Sequence, residues 1–117
     1  MAMYLSRFSY TPETWERLIQ NPEDRREAAR SYIESVGGKL HGFWYAFGEH
    51  DGWNLWEAPD NVSMAAVALA IGAGGALSSY ETTVLVSVEE LMQALGKAKA
   101  IRYRPPGAET ARVRDPA

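Results

Sequence analysis

The chain has 117 residues, a formal net charge of −3 and no cysteine. Its hydrophobic content of 46% and its length, close to the usual domain size of about 100–150 residues, indicate one globular domain. The charge disfavours nucleic-acid binding, and the lack of cysteine excludes disulfides, thiolate catalysis and cysteine-bound metals. Since the sequence shows neither a signal pattern nor an apolar run of bilayer length, we expect a cytoplasmic protein without membrane partners.

The first predicted elements are a strand and two short helices. Residues 3–10 predict the strand, and Thr11 with Pro12 is typical of a helix cap and first turn. An Asn-Pro pair then interrupts this helix. Asn21 is expected to cap the second helix, and Gly37 to end it.

The middle of the chain predicts a hairpin followed by a helix. Two strands over residues 39–47 and 53–58 are joined by the glycine-bounded turn 48–52. Asp60 is expected to cap a helix over 61–73. Because that helix is apolar on nearly every side, we expect it to be buried on more than one face.

The last elements are a strand, a helix and a tail. Residues 77–86 predict the strand, and Ser87 with Glu90 forms a capping box that opens the helix. The Pro-rich, charged residues 99–117 predict a mobile tail. The domain is therefore expected to comprise residues 1–98.

This order, β-α-β-β-α-β plus a C-terminal helix, predicts an α+β fold of the ferredoxin-like type. Its four-stranded antiparallel sheet carries helices on one face. Strict alternation would place His41, Phe43 and Tyr45 on one face of the second strand, and Leu40 and Trp44 on the other. Because both sheet faces carry large apolar groups, we expect the uncovered face to pack against a second copy, giving a homodimer or higher homo-oligomer.

Three short runs in the chain resemble a known family. The runs are Gly37-Gly38-Lys39-Leu40, Gly48-Glu49-His50-Asp51 and Glu57-Ala58-Pro59-Asp60. They are similar to the GYD-domain family of small bacterial and archaeal proteins, which is named after a Gly-Tyr-Asp triplet. His50 occupies the tyrosine position here. The resemblance covers residues 3–95 and implies a dimeric α+β barrel of ferredoxin-like subunits without an established activity.

The candidate catalytic residues are the two histidines and Asp51. His50 and Asp51 lie in the glycine-bounded turn, which either presents them to a pocket or needs them only as polar turn residues. His41 is predicted to lie among aromatic residues, as a general base or as a core or interface histidine bonded to a carbonyl. We expect no metal site and no cofactor, because no ligand spacing or cofactor motif is present.

Aromatic residues of the predicted strands provide the candidate ligand site. They are Tyr4, Phe8, Phe43, Tyr45 and Trp56. These residues predict a pocket beside the sheet that binds a small apolar or aromatic molecule. The alternatives are a cofactor-independent enzyme with a histidine base, as in related-looking barrels, and a purely structural assembly subunit. RNA binding on the sheet is disfavoured by the acidic charge.

Four polar residues fall inside predicted strands: Arg7, Asn54, Glu57 and Glu81. In a sheet covered on both faces, such residues must pair with each other or line a wet cavity. We prefer pairing, and we expect Arg7 to pair with Glu81 because the first and fourth strands are neighbours in this fold.

Overall fold

The computed structural model describes residues 1–107 and the backbone of residues 112–113. The strands in this part are β1 (Ala2–Tyr10), β2 (Lys39–Tyr45), β3 (Gly52–Ala58), β4 (Leu77–Leu85), β5 (Arg102–Tyr103) and β6 (Arg112–Val113). The helices are α1 (Pro12–Gln20), α2 (Arg25–Ser35), α3 (Asn61–Ala73) and α4 (Val88–Ala98). The chain divides into two compact units, Met1–Leu85 and Val86–Ala117.

The main sheet has the strand order β2-β3-β1-β4, and every neighbouring pair is antiparallel. The predicted α+β class with a four-stranded antiparallel sheet is therefore confirmed, and the order is that of a ferredoxin-like fold. Strand β1 lies between β3 and β4, so that α1 and α2 connect it to the far edge strand β2.

Each of the helices α1 to α4 is capped by the short polar side chain that directly precedes it. Thr11 caps α1 and Asp60 caps α3, each accepting a backbone N–H, and Ser87 opens α4 in the predicted capping box. The prediction that Asn21 caps α2 is wrong. Asn21 instead ends α1, and Asp24 caps α2 by accepting the N–H of Arg26 at 3.0 Å.

One face of the sheet carries the core, and we call it the helix face. It is marked by the alternating buried residues of β1, which are Tyr4, Ser6, Phe8 and Tyr10. Tyr4 packs with Trp56 and Ala58 of β3, Ile33 of α2 and Val67 of α3. The opposite face, which carries the remaining β1 and β3 residues, is called the open face.

A bulge in β2 changes which of its residues face the helices. Leu40 pairs with Trp56, but Gly42 pairs with Leu55, so that one extra residue is inserted at His41. Such an insertion shifts the alternation by one position. Leu40, Phe43 and Tyr45 therefore share the helix face, and the prediction that His41 lies among Phe43 and Tyr45 is wrong.

Helix α3 is less buried than its composition predicts. Val67 is buried against the sheet, whereas Val62 and Leu69 are exposed. The prediction of burial on more than one face is wrong for the single chain, because the sheet covers only one side of α3.

The unit Val86–Ala117 contains α4 and a short strand pair. Leu91, Met92 and Leu95 of α4 are exposed. Arg102 pairs with Val113, and Tyr103 with Arg112, in the β5–β6 ladder. The predicted mobility of residues 99–117 falls partly on 108–111 and 114–117, which lie outside the described residues. Among the helices that the structure describes, none is long and apolar enough to cross a bilayer.

Candidate functional site

A cavity of about 640 Å³ lies on the helix face of the sheet, bordered by α1, α2 and α3. This volume falls within the range of about 300–1,000 Å³ that is usual for small-molecule sites. The sheet contributes Phe8, Tyr10, Phe43, Asn54, Leu77 and Tyr80. The helices and adjoining loops contribute Thr14, Arg17, Leu18, Asn21, Glu23, Arg25, Tyr32, Ala70, Ile71, Gly74 and Ala76.

Aromatic rings on β1 and β2 form one wall of the cavity. The Phe8 ring meets those of Tyr10 and Phe43 edge to face, with centroids 5.2 and 5.7 Å apart. Behind them, the hydroxyls of Tyr10 and Tyr45 are 3.1 Å apart, within hydrogen-bond distance. Aromatic pairs at these separations stabilise each other beyond simple area burial.

Asp51 holds the aromatic wall to α1. Its Oδ2 accepts hydrogen bonds from the backbone N–H of Tyr10 at 2.9 Å and from the indole Nε1 of Trp15 at 3.2 Å. Its own N–H donates to the carbonyl of Phe8 at 2.8 Å. Asp51 lies outside the described lining of the cavity. The contacts of Asp51, a candidate catalytic residue, are those of a residue that positions Tyr10 and Trp15.

Asn54 provides the most unusual polar group of the cavity. It lies on β3 opposite Ser6 of β1 and Phe43 of β2, and its side chain is 4% exposed. Its buried Oδ1 has no hydrogen-bond partner among the described residues. Buried polar atoms almost always have a partner, so an orphaned acceptor on a cavity wall indicates a place where a ligand donor fits.

Ser6, the cross-strand neighbour of Asn54, is by contrast fully engaged. Its hydroxyl accepts from the indole Nε1 of Trp56 at 2.9 Å and from the hydroxyl of Tyr80 at 3.1 Å. It also lies 2.9 Å from the Thr82 hydroxyl. Of these two cross-strand neighbours, Asn54 is therefore the one with an acceptor that lacks a partner among the described residues.

Two of the phenols that line the cavity, those of Tyr10 and Tyr32, have a raised pKa. Burial, reinforced by the nearby Tyr80, raises the pKa of Tyr32 to about 12, against the opposing effect of the Arg25 charge. Burial and then the hydrogen bond with Tyr45 raise the pKa of Tyr10. Both groups therefore stay neutral at physiological pH.

Charged residues lie where α1 and α2 border the cavity. Arg17 and Arg25 are the cations, and Glu23 is the only carboxylate among the described lining residues. Arg25 Nη1 lies 3.4 Å from Glu23 Oε2, and both side chains are largely solvated. Such a pair is weak, which leaves this end of the cavity with a positive balance.

His41 lies apart from the cavity, at the β2 bulge. Its Nε2 is 3.4 Å from Glu57 Oε1 of the neighbouring strand. It also lines a separate groove of about 230 Å³ together with Arg26 and Arg30 of α2. His41 is therefore not positioned to act on a molecule in the larger cavity.

His50 lies on the open face. Its side chain is 14% exposed, and its ring meets Trp53 edge to face at 5.8 Å. Its Nε2 lies 4.0 Å from Glu81 Oε2, and its buried Nδ1 has no partner within the described part of the chain. The predicted ion pair between Arg7 and Glu81 is confirmed in the same cluster, and the Arg7 guanidinium lies 5.9 Å from the Trp53 ring centroid.

The structure divides the five aromatic residues of the predicted ligand site. Phe8 and Phe43 line the cavity, and Tyr45 contacts Tyr10 behind it. Tyr4 and Trp56 are buried in the core and lie outside the described lining.

Sequence reasoning missed most of the polar groups of the cavity. Arg17, Arg25 and Tyr32 lie on helices whose rotation about the sheet no local pattern reveals. Asn54 did carry a signal, because an amide interrupts a strand whose alternate residues are otherwise small or apolar. No group of three or more potential metal ligands occurs within the described residues.

Comparisons with known proteins identify the family. A search of curated proteins found no significant match. The sequence model of the GYD domain matches residues 4–95, which is well over half of the chain. This span covers the sheet, α1–α3 and most of α4, and therefore every residue of the cavity. The chain belongs to the GYD domain family.

Proposed function

We propose that the protein binds a small aromatic molecule in the cavity between the helix face and helices α1–α3. The observation that carries the proposal is a cavity of about 640 Å³ with Phe8 and Phe43 in edge-to-face contact on its wall. These rings present flat, rigid apolar surface at a fixed angle. A planar ligand can stack on such surface without ordering flexible side chains, which lowers the entropic cost of binding.

Binding is favoured over catalysis by a histidine base. A general base must come within about 2.6–3.2 Å of the proton it removes. Neither His41 nor His50 is among the described residues that line the cavity, and the one carboxylate there, Glu23, is exposed. A cofactor-independent enzyme that uses either histidine would therefore need a different site.

The open face supports self-association. Trp44 is 55% exposed there, beside the partly exposed Trp53, Leu55 and Leu5. The charged residues on this face are Arg7, Lys39, Glu57 and Glu81, two of each sign. Because these charges balance, two copies of the face would not repel each other through net charge in a two-fold arrangement. We propose that a second copy of the chain covers it.

A pair of matched variants tests ligand binding at the cavity. Ala70 lines the cavity from an exposed position on α3, and Ala66 lies one turn earlier outside the described lining. Saturation-transfer NMR with indole, naphthalene and quinoline should show binding to the wild type and to Ala66→Trp. The affinity should be about tenfold weaker in Ala70→Trp, because the introduced tryptophan side chain occupies the cavity. Equal binding to both variants, or no binding of any probe to the wild type, would refute the proposal.

Sedimentation velocity tests whether two copies of the chain associate through the open face. Trp44→Glu should shift the protein towards the monomer, because it places a charge in the apolar centre of the interface. Phe47→Glu is the matched control, since Phe47 lies just beyond β2 and is 94% exposed. A monomeric wild type, or equal shifts in the two variants, would exclude this interface.

A further inference from the structure

The polar groups around the cavity indicate the chemical class of its ligand, an inference that rests on the proposed function. We infer that the ligand is a phenolic carboxylic acid: an aromatic ring that bears a hydroxyl at one end and a carboxylate at the other. The ring contacts Phe8 and Phe43. The hydroxyl donates to Asn54, and the carboxylate is held by Arg17 and Arg25.

The hydroxyl end follows from Asn54. Its Oδ1 is buried and lacks a partner among the described residues, and Asn54 is one of the residues that line the cavity. A ligand that fills the cavity without a donor would leave this acceptor unpaired, and such sites reject such ligands strongly. A phenol fits the amide well, because its hydroxyl donates to Oδ1 and can accept from the amide nitrogen of the same side chain.

The carboxylate end follows from the arginines. Arg17 forms no ion pair or side-chain hydrogen bond within the described residues, and Arg25 has only the weak, solvated contact with Glu23. Guanidinium groups bind carboxylates in a bidentate geometry that lysine cannot match. Two arginines against one carboxylate leave a net positive charge available for an anion.

The polar groups of the cavity differ in burial, which suits a molecule with two polar ends. Asn54 is buried on the sheet, whereas Arg17 is exposed on α1 and Arg25 is partly exposed at the start of α2. Phe8 and Phe43 line the cavity beside Asn54, and Phe43 is its cross-strand neighbour. The neutral phenols in the wall add no negative charge that would repel the acid.

Isothermal titration calorimetry of the full-length wild type tests both ends with defined probes. The complete probe is 4-hydroxycinnamate, and 4-hydroxyphenylacetate and 4-hydroxybenzoate repeat its chemistry at shorter lengths. Cinnamate lacks the hydroxyl, 4-methoxycinnamate replaces the donor with an acceptor, and 4-ethylphenol lacks the carboxylate. At least one hydroxy acid should bind about tenfold more tightly than each of its incomplete analogues, because each analogue is unable to form one hydrogen bond or charge-assisted interaction.

Variants then assign each preference to its residue. Asn54→Leu should remove the preference for the hydroxyl and leave the affinity for cinnamate within about threefold, because the apolar contacts remain. The double variant Arg17→Met, Arg25→Met should remove the preference for the acid over 4-ethylphenol. Arg30→Met is the matched control, because Arg30 lies on the same helix as Arg25 but outside the described cavity lining.

The outcomes separate this inference from the proposed function. If neutral aromatic probes bind in the cavity that Ala70→Trp fills, while the acids bind no more tightly than they do, the ligand class is wrong and the proposed function stands. If the preferences exist but survive the Asn54 and arginine variants, the assigned residues are wrong. If no aromatic probe of any charge binds, the proposed function fails as well. Should Asn54→Leu fail to fold, the comparison of 4-methoxycinnamate with 4-hydroxycinnamate on the wild type still decides the hydroxyl end.

Discussion

The carboxylate of Asp51 accepts a hydrogen bond from the indole of Trp15 at 3.2 Å, joining the β2–β3 loop to helix α1. The same oxygen also accepts the backbone N–H of Tyr10. The loop that carries the family signature thus fixes the helix and the strand that border one side of the cavity.

Removing the Asp51 carboxylate should destabilise the protein. Each hydrogen bond to a charged acceptor contributes about 1.5–3 kcal/mol, so Asp51→Ala should lower the free energy of unfolding by about 3 kcal/mol. Asp51→Asn keeps a neutral acceptor at the same place and should cost about half as much. Urea denaturation measures both. Equal, small losses of unfolding free energy in the two variants would show that the hydrogen bonds of Asp51 do not stabilise the fold.

Asn54 should show the opposite behaviour. Asn54→Leu removes a buried acceptor without a partner in the described chain and should raise the free energy of unfolding by about 1 kcal/mol. Ser6→Ala is the comparison, because it removes the acceptor shared by Trp56 and Tyr80 and should lower stability by about 1–3 kcal/mol. Urea denaturation of both variants checks this. A loss in Asn54→Leu as large as in Ser6→Ala would mean that Asn54 is structural.

Gly52 should tolerate no side chain. A methyl group there would come within 2.2 Å of the buried ring of Phe8, whereas Gly48 in the preceding loop has open space around it. Overpacking of a core usually costs about 1–3 kcal/mol, and we expect that loss for Gly52→Ala. Gly48→Ala should be nearly neutral. Thermal unfolding of the two variants side by side tests the difference, and similar melting temperatures would contradict it.

Tyr32 should make stability sensitive to alkaline pH. Its pKa is raised from 10.0 to about 12 by burial and by Tyr80, so the folded state favours the neutral phenol. This contribution is fully present below about pH 10 and is lost as the pH rises towards about 12. Tyr32→Phe should therefore lose less stability than the wild type over that window. Denaturation at several pH values tests this, with the exposed Tyr103→Phe as control; parallel pH curves for wild type and Tyr32→Phe would contradict it.

The element order and most caps could be predicted because they depend on local chemistry. Thr11, Asp60 and Ser87 precede their helices directly, and a polar side chain there satisfies backbone N–H groups wherever the helix later packs. Asn21 shows the limit. The Asn-Pro pair indicated a cap at Asn21, but Asn21 ends α1, and Asp24, three residues later, caps α2.

The site was harder to predict because it depends on which sheet face each residue occupies. Phe8 and Phe43 were recognisable as aromatic strand residues. Their separation from His41 depends on one inserted residue in β2, which strict alternation does not anticipate. Arg25 and Tyr32 reach the cavity through the placement of α2, a long-range property that no local spacing encodes.

The β2 bulge has a further consequence for how the aromatic residues are shared between two surfaces. If His41 paired directly with Leu55, regular alternation would return and each later side chain of β2 would lie on the opposite side. Trp44 would then enter the cavity, and Phe43 and Tyr45 would move to the open face. The bulge thus separates the ring that is available to a partner chain from the rings that are available to a ligand.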